Sequence, residues 1–267
     1  MTVGKSSMVL PQEVWLHAEI DRPAQRFAVN RLIHRLVFLA ISEILGRSKA
    51  KKMHTVRSKP FAASPPIVAA AGGDNACLFR VPAGEFKVRL GFATPLMAAA
   101  FAAYANGVSG AVFPVANTGA AVKVAGAEIG RRWRAAQFGG NSPAAVRVRL
   151  VSPVVFKGGA ETYVSLSAGS IVNSLARKAR MLGLPVEAER AERLARHVSV
   201  PRAAVKTVPY RLWEDWTAWG AVGELEMVLK AASPEERSAF AVLLGLAEFL
   251  GLGAKTAFGA GYVRLGA

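Results

Sequence analysis

Residues 14–20 alternate apolar and polar, the period of a strand with one buried face. The period then lengthens. Over 29–46 it sets Ile33, Val37, Ala40 and Ile44 on one helical face, and Gly46 supplies the stop. A basic connector, RSKAKKMHTVRSKPF, follows and is closed by the Ser-Pro-Pro of 64–66. Two short strands are predicted at 76–81 and 85–92, joined as a hairpin by Pro82-Ala83-Gly84. An Ala-rich helix at 95–106 ends at Asn106-Gly107, and extended segments fill 110–129. The order is strand, helix, two strands, helix, strand.

The second half repeats that order. Residues 145–152 alternate as a strand, and a helix at 168–182 carries Ile171, Leu175 and Met181. Strands are predicted near 205–213 and 222–229. Ser233-Pro234-Glu235-Glu236 then provides an N-cap, a proline at the first helical position and a capping-box glutamate. That helix, 234–250, stops at Gly251, and Phe258 to Leu265 is the final strand. Two βαββαβ units in tandem predict an α+β chain of two ferredoxin-like (RRM-like) domains, each a four-stranded sheet with helices on one face. The boundaries expected are 1–130 for the first domain, 131–144 for a linker and 145–267 for the second. One insertion, LPVEAERAERLARH, pairs Glu189 with Arg193 and Glu192 with Arg196 at i,i+4, which predicts a solvated helix without chemistry.

Composition narrows the partner. With 52% hydrophobic and 19% charged residues the chain is globular, and its 34 basic against 18 acidic residues leave a formal charge of +16. Such an excess favours a polyanion: nucleic acid, ribosomal RNA or an anionic membrane face. The membrane face fits worst, because the basic residues do not line one side of an apolar helix. No charge falls between Arg89 and Lys123, but Pro95, Gly107, Gly110 and Pro114 divide that stretch into pieces below the roughly 20 residues of a membrane span. The opening residues lack the apolar core of a secretory signal. The lone Cys77 excludes an intramolecular disulfide and fits a reducing, cytoplasmic setting.

The chemistry concentrates in three places. The helix at 234–250 runs into GLGAKTAFGAGYVRL, with Gly251, Gly253, Gly259 and Gly261 around Lys255 and Thr256. Glycine allows a backbone to lie flat against a partner, so a strip with one cation suits phosphates. It is no P-loop, since a helix precedes it and Ala254 stands before Lys255. The connector gathers Arg47, Lys49, Lys51, Lys52, Arg57 and Lys59 around His54, an ordinary solvated charge run unless a phosphodiester lies against it. A histidine so placed can then exchange protons. His34 lies beside Phe38 and Ile41 on the first helix, as a half-buried core histidine or as a neighbour of His54 in one cleft. His17 and His197 have no supporting context. Arg131-Arg132-Trp133-Arg134 and Arg177-Lys178-Arg180 are candidates for extending a cationic track, with Trp133 either stacking a base or filling a core. Aromatic content of 8% and the lack of an RNP1 run argue against base stacking across an open sheet. Metal-ligand spacings and serine nucleophile elbows are missing, so an enzyme here is expected to need no metal, cofactor or covalent intermediate.

Taken together these segments resemble the CRISPR-associated endoribonucleases that cut precursor repeat RNA, the Cas-six group. GLGAKTAFGAGYV is similar to that family's C-terminal glycine-rich signature, and MHTVRSKPFAAS to the segment in which a catalytic histidine precedes a lysine and a phenylalanine. The resemblance implies His54 as general acid/base and Lys59 beside the scissile phosphate, one residue closer in sequence than in many relatives. His34 stands where relatives carry a tyrosine, which implies either a two-histidine site or a member that binds repeats and cuts poorly. Gly251, Gly253, Lys255, Thr256, Gly259 and Gly261 match RNA-contacting positions, and Lys51, Lys52 and Arg57 of the basic connector are further RNA-binding candidates. CRISPR repeat RNA is the implied partner; an effector complex of CRISPR-associated proteins and a homodimer stay open, and no membrane role is implied. The implied reaction is metal-free cleavage of repeat RNA by its own 2′-hydroxyl. The alternatives are a repeat-binding protein of the same fold that cuts weakly or not at all, and a general RNA-binding protein.

Overall fold

The computed structural model describes residues 10–266 apart from 56–58, 71–72, 134–144, 159–160, 185, 187 and 231. In the N-terminal half the elements are β1 (Gln12–Ile20), β2 (Ala24–Gln25), α1 (Arg26–Leu45), α2 (Arg47–Thr55), β3 (Phe61–Ala63) and β4 (Ile67–Ala70). They continue through β5 (Gly73–Ala76), β6 (Arg80–Val81), β7 (Gly84–Phe92), α3 (Pro95–Gly107), β8 (Val112–Pro114) and β9 (Ala121–Arg132). The C-terminal half holds β10 (Ala145–Val154), β11 (Phe156–Gly158), β12 (Glu161–Tyr163), α4 (Ala168–Met181) and α5 (Ala188–His197). It ends with β13 (Val198–Arg211), β14 (Thr217–Leu229), α6 (Pro234–Leu250), a 3-10 turn at Thr256–Phe258 and β15 (Val263–Gly266).

Both sheets have the ferredoxin-like order. β1 lies between β7 and β9 in a sheet ordered β5-β4-β7-β1-β9-β8, and β10 lies between β14 and β15 in one ordered β13-β14-β10-β15. Every pairing is antiparallel. The fold is thus tandem ferredoxin-like. α1 and α3 close the first core over Val14, Leu16, Val88 and Leu90, while α4 and α6 close the second over Val148, Leu150 and Leu225. Local chemistry explains the helix starts: Thr94 and Ser167 cap α3 and α4, and Ser233 with Glu236 forms the capping box of α6.

Several details differ from the sequence reading. Arg80 and Val81 pair with Ala24 and Gln25, so the expected hairpin onto 84–92 does not form. β7 takes β3 and β4 as neighbours instead. Pro65 and Pro66, which have no N–H to donate, separate those two short strands along β7 and hid them from a local reading. Ile44 is 46% exposed, so the buried stripe of α1 ends at Ile41. The basic connector is helical over α2, because its Lys, Arg, Ala and Met favour helix. α5 is no free-standing helix: Ala191 and Leu194 bury one face in the second core. Trp133 is wholly buried there too, which corrects its reading as a base-stacking residue. β9 runs to Arg132, and residues 134–144 of the expected linker, Arg134 included, lie outside the described residues.

Candidate active site

α1 carries His34 on its buried face, and after Gly46 α2 turns back so that His54 returns over it. The two imidazoles meet edge to face with ring centres 6.2 Å apart. Phe38, one turn along α1, packs against both, at 4.9 Å from His34 and 5.1 Å from His54. Phe61 of β3 stands 5.6 Å from His34, and Phe258 of the glycine loop stacks on it at 4.1 Å. Aromatic rings from three elements therefore enclose His34. Burial, with the charges of His54 and Lys59 behind it, pushes its pKa down to about 4, so the ring is neutral at pH 7. Its Nε2 is covered and has no hydrogen-bond partner among the described residues. His54 sits on the exposed side of the same cluster.

Lys59 closes the end of α2. Its ammonium donates to the carbonyls of Met53, at 3.4 Å, and of His54, at short range, where a cation meets the negative end of the helix. Burial lowers its pKa, and Lys255 from the glycine loop lowers it further. Lys51 and Lys52 are exposed on α2, and Arg57 lies outside the described residues.

The glycine loop differs from the strip of bare amides expected. Gly251, Gly253, Gly259 and Gly261 are all buried and all have positive φ. A β-carbon at Gly253 would run into the Val155 carbonyl, at Gly261 into that of Leu252, and at Gly259 into the Asn30 amide. Glycine is needed because the protein's own backbone approaches so closely. The loop's amides are also spent internally: Leu252 on Gly261, Gly253 on the Ser174 hydroxyl, Ala254 on Val155, Gly261 on Pro153. The amides of Lys255, Thr256 and Ala257 are outside these bonds; of the three residues Lys255 is part-exposed and the other two are buried. Lys255 takes a left-handed φ of 60° there, and the indoles of Trp213 and Trp216 hold its ammonium at 5.0 and 5.4 Å.

The two halves meet at this loop. Asn30 of α1 and the Tyr210 hydroxyl of β13 both donate to the Phe258 carbonyl, at 2.8 and 2.5 Å. Arg26 lies 4.1 Å over the Tyr210 ring and bonds the carbonyls of Leu78 and Arg211. Lys178, buried on α4, donates to the last carbonyls of α6, Leu250 and Gly251, at 2.6 Å each. A second joint lies behind: Arg89 of β7 pairs with buried Glu13 at 2.5 Å and reaches the Glu248 carbonyl, and Gly91 has no room for a β-carbon beside the Phe249 carbonyl.

The structure therefore gathers His34, His54, Lys59, Lys255 and Thr256, and places His17 and His197 elsewhere, against Glu128 and Glu236. Sequence reasoning missed Asn30, Tyr210, Trp213 and Trp216. The tryptophans carried a usable signal, two indoles in the short turn between predicted strands, whereas Asn30 had none.

The fold and the cationic seam define the class: a tandem ferredoxin-like protein whose basic groups and imidazoles converge where its domains meet. Residues 148–263 match the family model of the CRISPR-associated endoribonuclease Cas6. Over the whole length the fold is similar to that of the Thermus thermophilus Cas6 (TTHB231) product complex, at TM-score 0.74 and 20% identity, covering 96% of this chain and 99% of that one. It is likewise similar to the Cas6 (TTHA0078) product complex, at TM-score 0.73 and 19% identity over 97% and 100%. A Cas6-related protein from Pyrococcus furiosus follows at TM-score 0.64 and 11% identity, over 96% and 98%. No curated protein matches in sequence. The family match thus covers the C-terminal half of the chain, and the solved structures share its fold over the whole length.

Proposed function

We propose that this protein cleaves CRISPR repeat RNA within precursor transcripts, without a metal, by attack of a ribose 2′-hydroxyl on the adjacent phosphate. One observation carries the reading: an exposed imidazole, His54, in contact with a second imidazole, with Lys59 bonded to the same helix end and Lys255 close by. Solved Cas6 relatives include product complexes and a substrate-mimic complex, which supports RNA as the ligand of this seam.

The 2′-oxygen loses its proton and bonds to phosphorus, and the 5′-oxygen leaves with a proton, giving 2′,3′-cyclic phosphate and 5′-hydroxyl ends. The protein has to supply a base, an acid and positive charge for the oxyanion. A histidine held neutral at pH 7 cannot serve as the acid, so that role goes to His54, with Lys59 as the charge and His34 as the base. A second reading of His34 has its own support: with Nε2 covered and the ring stacked on Phe258, it positions His54 and the loop without touching RNA. RNA contacts would then come from Lys51, Lys52, Arg57, Lys255 and Thr256, with the glycines shaping the loop that presents them.

The test is repeat RNA incubated with the protein in excess EDTA. Products ending in cyclic phosphate and 5′-hydroxyl, and no cleavage when the upstream nucleotide is 2′-deoxy, bear out the mechanism; loss of cleavage on chelation removes it. Binding without a cut would favour the repeat-binding alternative. His34→Phe keeps a stacked ring without nitrogens: full activity assigns His34 to positioning, and a loss of roughly 10²–10⁴-fold assigns it the base role.

A further inference from the structure

Under the glycine loop, on the C-terminal side of the seam, lies a cleft of about 280 Å³ lined by Lys59, Lys157, Arg177, Lys178, Lys255 and Thr256. Five cations converge there, and no carboxylate lines it among the described residues. They burden one another: beyond the effect of burial, Lys255 lowers the pKa of Lys59, Lys157 that of Lys255, and Arg177 that of Lys178. A bound anion would relieve all three.

The cleft is built, not merely charged. Lys178 is 6% exposed, and its ammonium has three donors, of which two go to the Leu250 and Gly251 carbonyls. The third has no acceptor among the described residues. Lys255 is fixed by two indoles and by the backbone bonds of its loop, and Thr256 is 8% exposed at the floor. Lys157 and Arg177 stand exposed at the rim, from β11 and α4. Lys59 borders both this cleft and the imidazoles, so an anion bound here lies next to the reacting linkage.

We infer that the cleft is a phosphate subsite for a linkage flanking the scissile one, with Lys157, Arg177 and Lys178 joining Lys255 around a single phosphodiester. The nature of the ligand rests on the ribonuclease reading above; inorganic phosphate presents the same chemistry.

The experiment is a cycle between RNA and protein. Repeat RNA made uncleavable by one 2′-deoxy nucleotide carries a neutral methylphosphonate at each linkage around the cut in turn. Its affinity is measured for the wild type and for the Lys157→Ala/Arg177→Ala double variant, whose changes are at exposed positions. At one flanking linkage the wild type should lose about tenfold or more, the size of a lost charge-assisted contact, and the double variant, left with Lys178 and Lys255, should lose several-fold less. If no linkage shows that coupling, the subsite is overturned. Competition by inorganic phosphate in the wild type alone, without such a linkage, would also overturn it by assigning the cleft to a free anion. Cleavage of unmodified RNA by the same preparation tests the nuclease reading separately: a missing cut with intact coupling sinks that reading and leaves the subsite standing.

Discussion

α2 and the glycine loop were both legible as basic, phosphate-facing segments, yet the chain uses them in opposite ways. On α2 the basic side chains point outward: Lys51, Lys52 and His54 are exposed, and the last helix carbonyls hold Lys59. In the loop the backbone is buried, its amides are bonded inside the protein, and its glycines admit neighbouring carbonyls. Among the described loop residues it is the Lys255 side chain, part-exposed, that is left to meet a ligand. Glycine content therefore reports tight packing here rather than a bare backbone held open for a ligand.

Four measurements would sharpen or break that contrast. The largest effect belongs to α2: His54→Ala should cost roughly 10²–10⁴-fold in single-turnover rate while leaving RNA affinity unchanged. Full activity in that variant dismisses His54 as catalytic.

The second concerns buried His34. Its folded pKa, about 4, is below the ordinary 6.5, so between those values the unfolded chain binds more protons and stability falls as pH drops. The full loss over that window is about 3 kcal/mol. Urea unfolding at stepped pH reads it directly, and His34→Phe should flatten the profile there.

Third, Gly261→Ala places a β-carbon against the Leu252 carbonyl at φ 67° and should cost about 2 kcal/mol or more of stability. Were that variant to keep its stability and lose RNA binding, the loop backbone would face RNA after all and the contrast would collapse. The smallest effect is shared by the two regions. Lys255→Ala and Lys52→Ala should each reduce the salt dependence of binding by about one unit of slope, without altering the unfolding midpoint.

What the sequence disclosed follows from which forces are local. Caps, periods and stops placed α1, α3, α4 and α6 within a residue or a few, because Ser233, Gly107 and Gly46 act on their own neighbours. The edge of the first sheet was misread, because the pairing of Phe61–Ala63 with Leu90–Phe92 is a long-range choice with no local signature. In the site, His54 and Lys59 could be read from a short segment, and His34 from its place on α1. Their assembly could not: Phe258, Tyr210 and Asn30 come together only once the halves dock. The mistaken motive for the glycines has the same origin, since nothing local tells whether a bare backbone faces a ligand or another strand.

Because Asn30 and Tyr210 grip one oxygen, that of Phe258, neither half of the molecule owns a finished pocket. Docking of the halves and completion of the seam are then one equilibrium. Any RNA that touches both sides binds only the docked form and tightens it by mass action. Exchanging one half for that of a distant relative would have to carry this shared grip along, so inheritance should treat the two as a single unit.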